Sequence, residues 1–242
     1  MKVKERIEFD LLGSIINKCL CLIKKNHGVD IDIDMLPTDD PLVYELINTD
    51  TSLDVFGLDA PEYHELISRM SPTEFRHLAA IHSMYSQWMR EKYSFYIKNK
   101  DNPETIVYES NIEDEVLAQT YGVVLYIDQI VEIIHRYSGI PKDISAKIAI
   151  YIRKIMKPEL SIWKSVFVVG TQKKGFTEIF AEASWACIII DGKTTTYRYK
   201  AEGEAMKTYV CYWLKAYYPN EYEEALIPVI DSTLYPVNYV RI

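Results

Sequence analysis

Two Glu-x-x-His pairs, Glu74 with His77 and Glu132 with His135, are spaced for chemistry. Three positions apart on a helix, acid and imidazole share a face, as a carboxylate-bridged di-metal hydrolase or oxidase requires. Glu74 has a competing use as the fourth residue of Ser71-Pro72-Thr73-Glu74, a capping box with Pro at the first helical position. Pairs of this kind also arise by chance in a chain with 5 His and many Glu. The run V-D-I-D-I-D over 29–34 is a second metal candidate, since a strand there would align Asp30, Asp32 and Asp34 on one face. A calcium loop needs Gly at its sixth position and Glu at its twelfth, where this run offers Met35 and Pro41, so a solvated strand face is expected. Cys19, Cys21, Cys187 and Cys211 match neither a disulfide framework nor paired zinc knuckles, and read as buried thiols in a reducing compartment. No glycine-rich phosphate loop and no nucleophile elbow occurs.

The elements that must position these residues are mostly helical. Leu12, Ile15, Ile16, Cys19, Leu20 and Ile23 recur at helical spacing within 7–25, after a short extended stretch and before a stop at Gly28. Thr38-Asp39-Asp40-Pro41 reads as the start of a helix over 42–47, with an N-cap acid. The capping box at Ser71 opens a helix to about Tyr96. Further helices are expected over 111–137, interrupted near Gly122, and over 144–156, with a cationic end. Beyond Pro158 the composition turns β-branched and aromatic. Cys187 to Tyr199 reads as a hairpin turning at Asp191-Gly192, followed by a last helix over 202–218 that ends at Pro219 and an irregular or short-strand tail.

Composition limits the function classes. The 242 residues, 48% hydrophobic and 26% charged, suit one large globular domain or two small ones. A formal charge of -8 supplies no general cationic field for gripping nucleic acid. The N-terminal residues show no apolar core of signal-peptide length and no window approaches a membrane span, so a cytoplasmic location without membrane contact is expected.

Read in order, the motifs resemble one family. I-E-F-D-L-L-G-S, containing Asp10, looks like the bacterial DNA polymerase III alpha subunit segment K-F-D-F-L-G, which carries the last of that family's catalytic aspartates. The following run is similar to the family's L-P-x-D-D, with Asp39 and Asp40 as the acidic pair. T-Y-G-V-V-L-Y-I-D-Q resembles T-Y-G-I-x-x-Y-Q-E-Q, with Tyr121, Gly122, Tyr126 and Gln129 on matching positions. Arg153-Lys154-Ile155-Met156 looks like the fingers motif R-R-A-M, the run K-S-V-F-V-V-G-T-Q-K-K-G looks like the helix that follows, and Y-V-C-Y-W-L-K-A-Y-Y-P-N-E-Y resembles Y-Q-x-x-W-L-K-A-x-Y-P-x-E-F. The resemblance is collinear over about residues 5–226.

It implies an α+β, predominantly α-helical chain from the end of the palm and the fingers of a C-family replicative DNA polymerase, with a small C-terminal β hairpin. The expected division is 1–60 palm-end-like, 61–226 fingers-like with the hairpin near 187–199, and 227–242 a tail. The implied reaction is templated nucleotidyl transfer from a deoxynucleoside triphosphate to a primer end, assisted by Mg2+. Asp10 would be the catalytic metal ligand, and Arg153, Lys154, Arg198 and Lys200 would meet the triphosphate. Primer-template DNA is the implied partner.

Departures restrict this expectation. The family's other catalytic aspartates lie in an Asp-x-Asp motif upstream of the matched region, so the two-metal site is incomplete and the isolated chain is not expected to polymerise DNA without a complementary polymerase chain. Glu8 replaces a lysine, and Gly57, Asp59 and Ala60 replace the Gln and Glu-Ser of V-F-Q-L-E-S. Ser86-Gln87-Trp88 replaces R-P-G-P, Arg198-Tyr199-Lys200-Ala201 stands for K-S-H-S, and 185–196 has no clear counterpart. The alternative is a non-catalytic protein that uses the fingers scaffold to bind replication proteins, which an acidic surface suits.

Overall fold

The computed structural model describes residues 11–49, 61–84 and 90–234. Its helices are α1 (Leu11–His27), α2 (Pro41–Thr49), α3 (Pro61–Met70), α4 (Phe75–Met84), α5 (Arg90–Asp101), α6 (Asn111–Leu117), α7 (Ile127–Ser138), α8 (Lys142–Arg153), α9 (Lys157–Lys173), α10 (Glu178–Gly192), α11 (Arg198–Tyr217) and α12 (Pro219–Leu234). The chain divides into two compact units, one of residues 82–201 and one combining 1–81 with 202–242.

In the discontinuous unit, Leu12, Ile15, Ile16, Cys19 and Ile23 form the buried stripe that the spacing predicts, and Gly28 ends the helix at a left-handed φ of 70°. α1 packs on α12. Asp40 caps α2 by accepting the Leu42 N–H at 3.0 Å, while Tyr217 of α11 donates its hydroxyl to the other carboxylate oxygen at 2.8 Å. The acidic pair thus contains a structural residue. Glu221 is buried and takes hydrogen bonds at one oxygen from Asn26 (3.0 Å) and His27 (2.8 Å). The hydrogen bond from Asn26, and next that from His27, holds its carboxyl below the usual carboxylate range.

In the continuous unit, α7 to α10 surround one core containing Ile130, Ile134, Tyr137, Ile148, Ile152, Phe167 and Trp185. Phe176 and Phe180 meet the Tyr137 ring edge-on at 5.3 and 5.2 Å. Gly170 permits the close approach of α9 to α7, because a Cβ there would lie 2.2 Å from the Ser138 carbonyl oxygen.

Several expected elements differ. Residues 29–34 form no strand: Ile33–Met35 is a 3-10 turn, and Asp32 accepts the Asp34 N–H at 3.2 Å, so a local side-chain bond diverts the backbone. Ser71 does not open a helix; its N–H bonds Ile67 O at 2.8 Å, closing α3. α4 begins at Phe75, where buried His77 accepts the Thr73 N–H at 3.2 Å through Nδ1. The expected run to Tyr96 is described as α4 ending at Met84 and α5 starting at Arg90, with 85–89 outside the described residues. The interruption near Gly122 is present, with Tyr121 and Gly122 at φ of 50° and 77°.

The hairpin over 187–199 is absent. Its first half continues α10, because Ala181, Trp185 and Ile188 recur at helical spacing and bury one face, which outweighs the β-branched composition. Gly192 serves close packing instead of a turn: a Cβ would lie 2.7 Å from the Ile152 Cγ2. Among the described residues the sole β feature is a parallel bridge between Tyr126 and Thr196. α11 starts at Arg198, four residues before the expected start, and the tail is helical through Leu234. That helix passes Pro228, which has no N–H for the Glu224 carbonyl; Lys18 Nζ donates to that oxygen instead, at 2.9 Å. Only Cys19 and Cys211 are buried, and Cys21 and Cys187 are exposed, which corrects the expectation of four buried thiols.

Gly170→Ala is expected to cost about 1–3 kcal/mol through this clash, read as a lower Tm. A second expectation concerns acid. Because folding lowers the Glu221 pKa, its stabilisation is full above the ordinary carboxylate value of 4.5 and is lost as pH falls through the lower folded value. The Tm difference between the unaltered chain and Glu221→Gln should therefore be largest near neutrality and shrink in acid.

Candidate functional site

The site begins with a buried glutamine. Gln129, 1% exposed, accepts the N–H groups of Leu125 and Tyr126 through Oε1 at 2.8 and 2.9 Å and donates Nε2–H to the Thr120 hydroxyl at 2.7 Å. The Gln129 N–H returns a bond to Tyr126 O at 3.1 Å. The side chain therefore closes the α7 N-terminus and fixes the backbone at Leu125 and at extended Tyr126. Upstream, Asn99 donates to the carbonyl of left-handed Tyr121 at 2.7 Å, and the Tyr121 ring meets Tyr96 edge-on at 5.2 Å.

This segment receives the chain leaving α10. Thr196 donates its N–H to Leu125 O at 3.0 Å and accepts the Ile127 N–H at 2.9 Å. Lys92 secures the approach by bonding the Val124 carbonyl and the Asp191 carboxylate, each at 2.9 Å. Tyr197 is held next, because its carbonyl accepts the N–H groups of Lys200 and Ala201 at 2.9 and 3.2 Å as α11 begins.

Side chains converge on this frame. Arg153, at the C-terminal end of α8, places its guanidinium carbon 4.7 Å from the centre of the Tyr197 ring, and Lys200 Nζ lies 5.6 Å from the same centre. Arg198 lies 4.3 Å above the Tyr126 ring, and its Nε and Nη2 both bond one Asp128 oxygen at 2.8 Å. Asp128 stands in the first turn of α7, where the helix dipole favours a carboxylate. Lys154 is exposed at the end of α8, just before Ile155 at a φ of 55°. Arg153 on one side and Arg198 and Lys200 on the other, far apart in the chain, are thus gathered by two tyrosines, with Lys154 beside Arg153 in the chain.

Asp10 lies outside the described residues, as do Glu8, Gly57, Asp59, Ala60 and Ser86-Gln87-Trp88. Both Glu-x-x-His pairs are engaged locally: Glu74 with Arg76 at 2.7 Å and His77 at 3.1 Å, Glu132 with Lys142 at 2.7 Å, and His135 with Ile140 O at 2.7 Å. Among the described residues no group of three or more His, Cys, Asp or Glu could hold a metal. No helix among them is long and apolar enough to cross a membrane. The sequence reading missed Tyr197 and Asp128. For Tyr197 the available signal was the alternation of aromatic and cation in Tyr197-Arg198-Tyr199-Lys200.

The fold and site define a helical domain presenting cations backed by tyrosine rings. A model of the bacterial DNA polymerase III alpha subunit finger domain matches residues 13–175, and the chain belongs to that family. The DNA polymerase III subunit alpha of Mycobacterium tuberculosis (strain CDC 1551 / Oshkosh) is 30% identical over 240 residues, covering 93% of this chain and 20% of the relative. That of Staphylococcus aureus (strain MRSA252) is 26% identical over 231 residues, covering 93% of this chain and 22% of the relative. The chain spans about a fifth of the length of these curated relatives.

Gln129→Ala is expected to leave two backbone N–H groups without their acceptor and to cost about 2–4 kcal/mol, measured as a lower denaturant midpoint. Thr120→Val, which spares those two bonds, should cost less.

Proposed function

We propose that this chain is the triphosphate-binding fingers part of a bacterial replicative DNA polymerase, acting in templated nucleotidyl transfer. The observation that carries the reading is the convergence of Arg153 and Lys200 on one tyrosine ring from positions 47 apart in the sequence. Phosphate oxygens favour such a pair: guanidinium offers forked donors and ammonium a compact charge. Lys154 would add charge at the same helix end. Arg198 enters the set already bonded to Asp128, so it contributes a partly neutralised charge. In this reading the substrates are a deoxynucleoside triphosphate and primer-template DNA.

Mg2+, which the family resemblance implies, would neutralise triphosphate charge and activate the primer hydroxyl. The described residues do not fit such an ion, as no cluster of candidate ligands occurs among them, and Asp10 lies outside them. The reading therefore gives these residues the tasks of binding and orienting the triphosphate. The Asp-x-Asp carboxylates would come from a complementary polymerase polypeptide. The net charge of -8 favours a second reading, a non-catalytic chain that uses the same scaffold to contact replication proteins.

The test is binding of triphosphate and primer-template DNA to the chain and to Arg153→Ala/Lys154→Ala. The double variant is expected to bind triphosphate at least about tenfold more weakly, the loss of one charge-assisted contact or more. Equal binding would remove both cations from the site. Primer extension by the chain mixed with a polypeptide carrying the Asp-x-Asp segment should appear and should be lost in Asp10→Ala. A mixture that extends no primer, with a chain that still captures a replication protein, would favour the second reading.

A further inference from the structure

We infer that Tyr197 is the positioning residue of the cationic site: its ring holds the Arg153 guanidinium and the Lys200 ammonium together as one phosphate-binding pair. The inference rests on the triphosphate reading and deepens it. Arg153 ends α8 and Lys200 lies in the first turn of α11. Without a common anchor, two long side chains of like charge would separate and occupy many rotamers. The π system of one ring lies within reach of both, 4.7 and 5.6 Å from its centre, and attracts each without neutralising its charge. A carboxylate in that place would bind the cations more tightly and cancel the charge that a phosphate seeks. Asp128 shows the contrast, since it engages Arg198 directly at 2.8 Å.

Tyr197 is suited to this task because its own backbone is fixed on both sides. Thr196 is bonded to Leu125 and Ile127, and the Tyr197 carbonyl accepts two N–H groups of the first turn of α11. Tyr199 supports the ring laterally, with centroids 5.5 Å apart. Loss of the ring should therefore disperse the cations without unfolding the frame, since the hydrogen bonds that fix the frame come from backbone atoms and from the Gln129 and Lys92 side chains, not from the Tyr197 ring.

The test uses the full chain with two probes, dATP and inorganic tripolyphosphate, titrated calorimetrically into the unaltered chain, Tyr197→Phe, Tyr197→Leu and Arg153→Ala/Lys200→Ala, with Tm recorded for each. Tyr197→Leu should weaken both probes by about five- to tenfold, the loss of two exposed cation–π contacts. Tyr197→Phe, which keeps the π face, should stay within about twofold of the unaltered chain. Weakening of dATP alone would overturn the inference, because the ring would then be stacking on the base. Equal weakening by Phe and Leu would also overturn it, by assigning the role to the hydroxyl. If Arg153→Ala/Lys200→Ala weakens both probes and Tyr197→Leu weakens neither, the positioning role fails and the triphosphate reading stands. If Arg153→Ala/Lys200→Ala weakens neither probe, the triphosphate reading itself fails.

Discussion

The two backbone hydrogen bonds that Thr196 makes with Leu125 and Ile127 are the constraint on which the rest of the cationic site depends. They fasten the chain leaving α10 to the residues entering α7, and thereby determine where Tyr197, Arg198 and Lys200 stand. Gln129 supports one side of this junction and Lys92 the other. Each supporting side chain bonds backbone groups that would otherwise be left without partners, so the junction is favoured by polar satisfaction as much as by apolar packing. A similar device operates in the other unit, where Asp40 and Glu221 each tie a helix end to a distant segment.

Several motif residues that carry the family resemblance prove architectural. Asp40 caps a helix, Tyr121 and Gly122 adopt the left-handed conformations that reverse the chain, Gln129 is buried, and Pro219 and Glu221 lie where α12 begins. Each of these positions satisfies a geometrical demand that few side chains meet. Collinearity of such positions identifies a scaffold. Chemistry must be read separately, from the charged groups that the scaffold gathers.

The sequence made the helical frame legible wherever apolar residues recur at period 3.6, as in α1, α7 and α8. It misled where local composition and tertiary burial disagree. Cys187-Ile188-Ile189-Ile190-Asp191-Gly192 has the composition of a strand and turn, yet Ile188 fills a core position on α10 and Gly192 lets Ile152 approach. The acids at 32 and 34 imitate strand alternation, while the Asp32 carboxylate accepts the Asp34 N–H. At the candidate site, the family motifs single out Arg153, Lys154, Arg198 and Lys200, of which Arg153, Arg198 and Lys200 stand over tyrosine rings. The ring joining two of them was not legible, because the aromatic–cation alternation over 197–200 does not say which ring meets Arg153 until the Thr196 bridge sets the place of Tyr197.

The meeting of Lys18 with the Glu224 carbonyl has a consequence for how this sequence can drift. Proline at 228 removes a helix donor, and a cation from a helix 206 positions away takes the vacant acceptor. The two positions share one hydrogen-bonding obligation across the chain. Should 228 become any residue with an N–H, the carbonyl would regain its helical partner and Lys18 would be released to vary. While proline remains, replacement of Lys18 would leave that carbonyl without its present donor. The pair should therefore change together among descendants of this sequence.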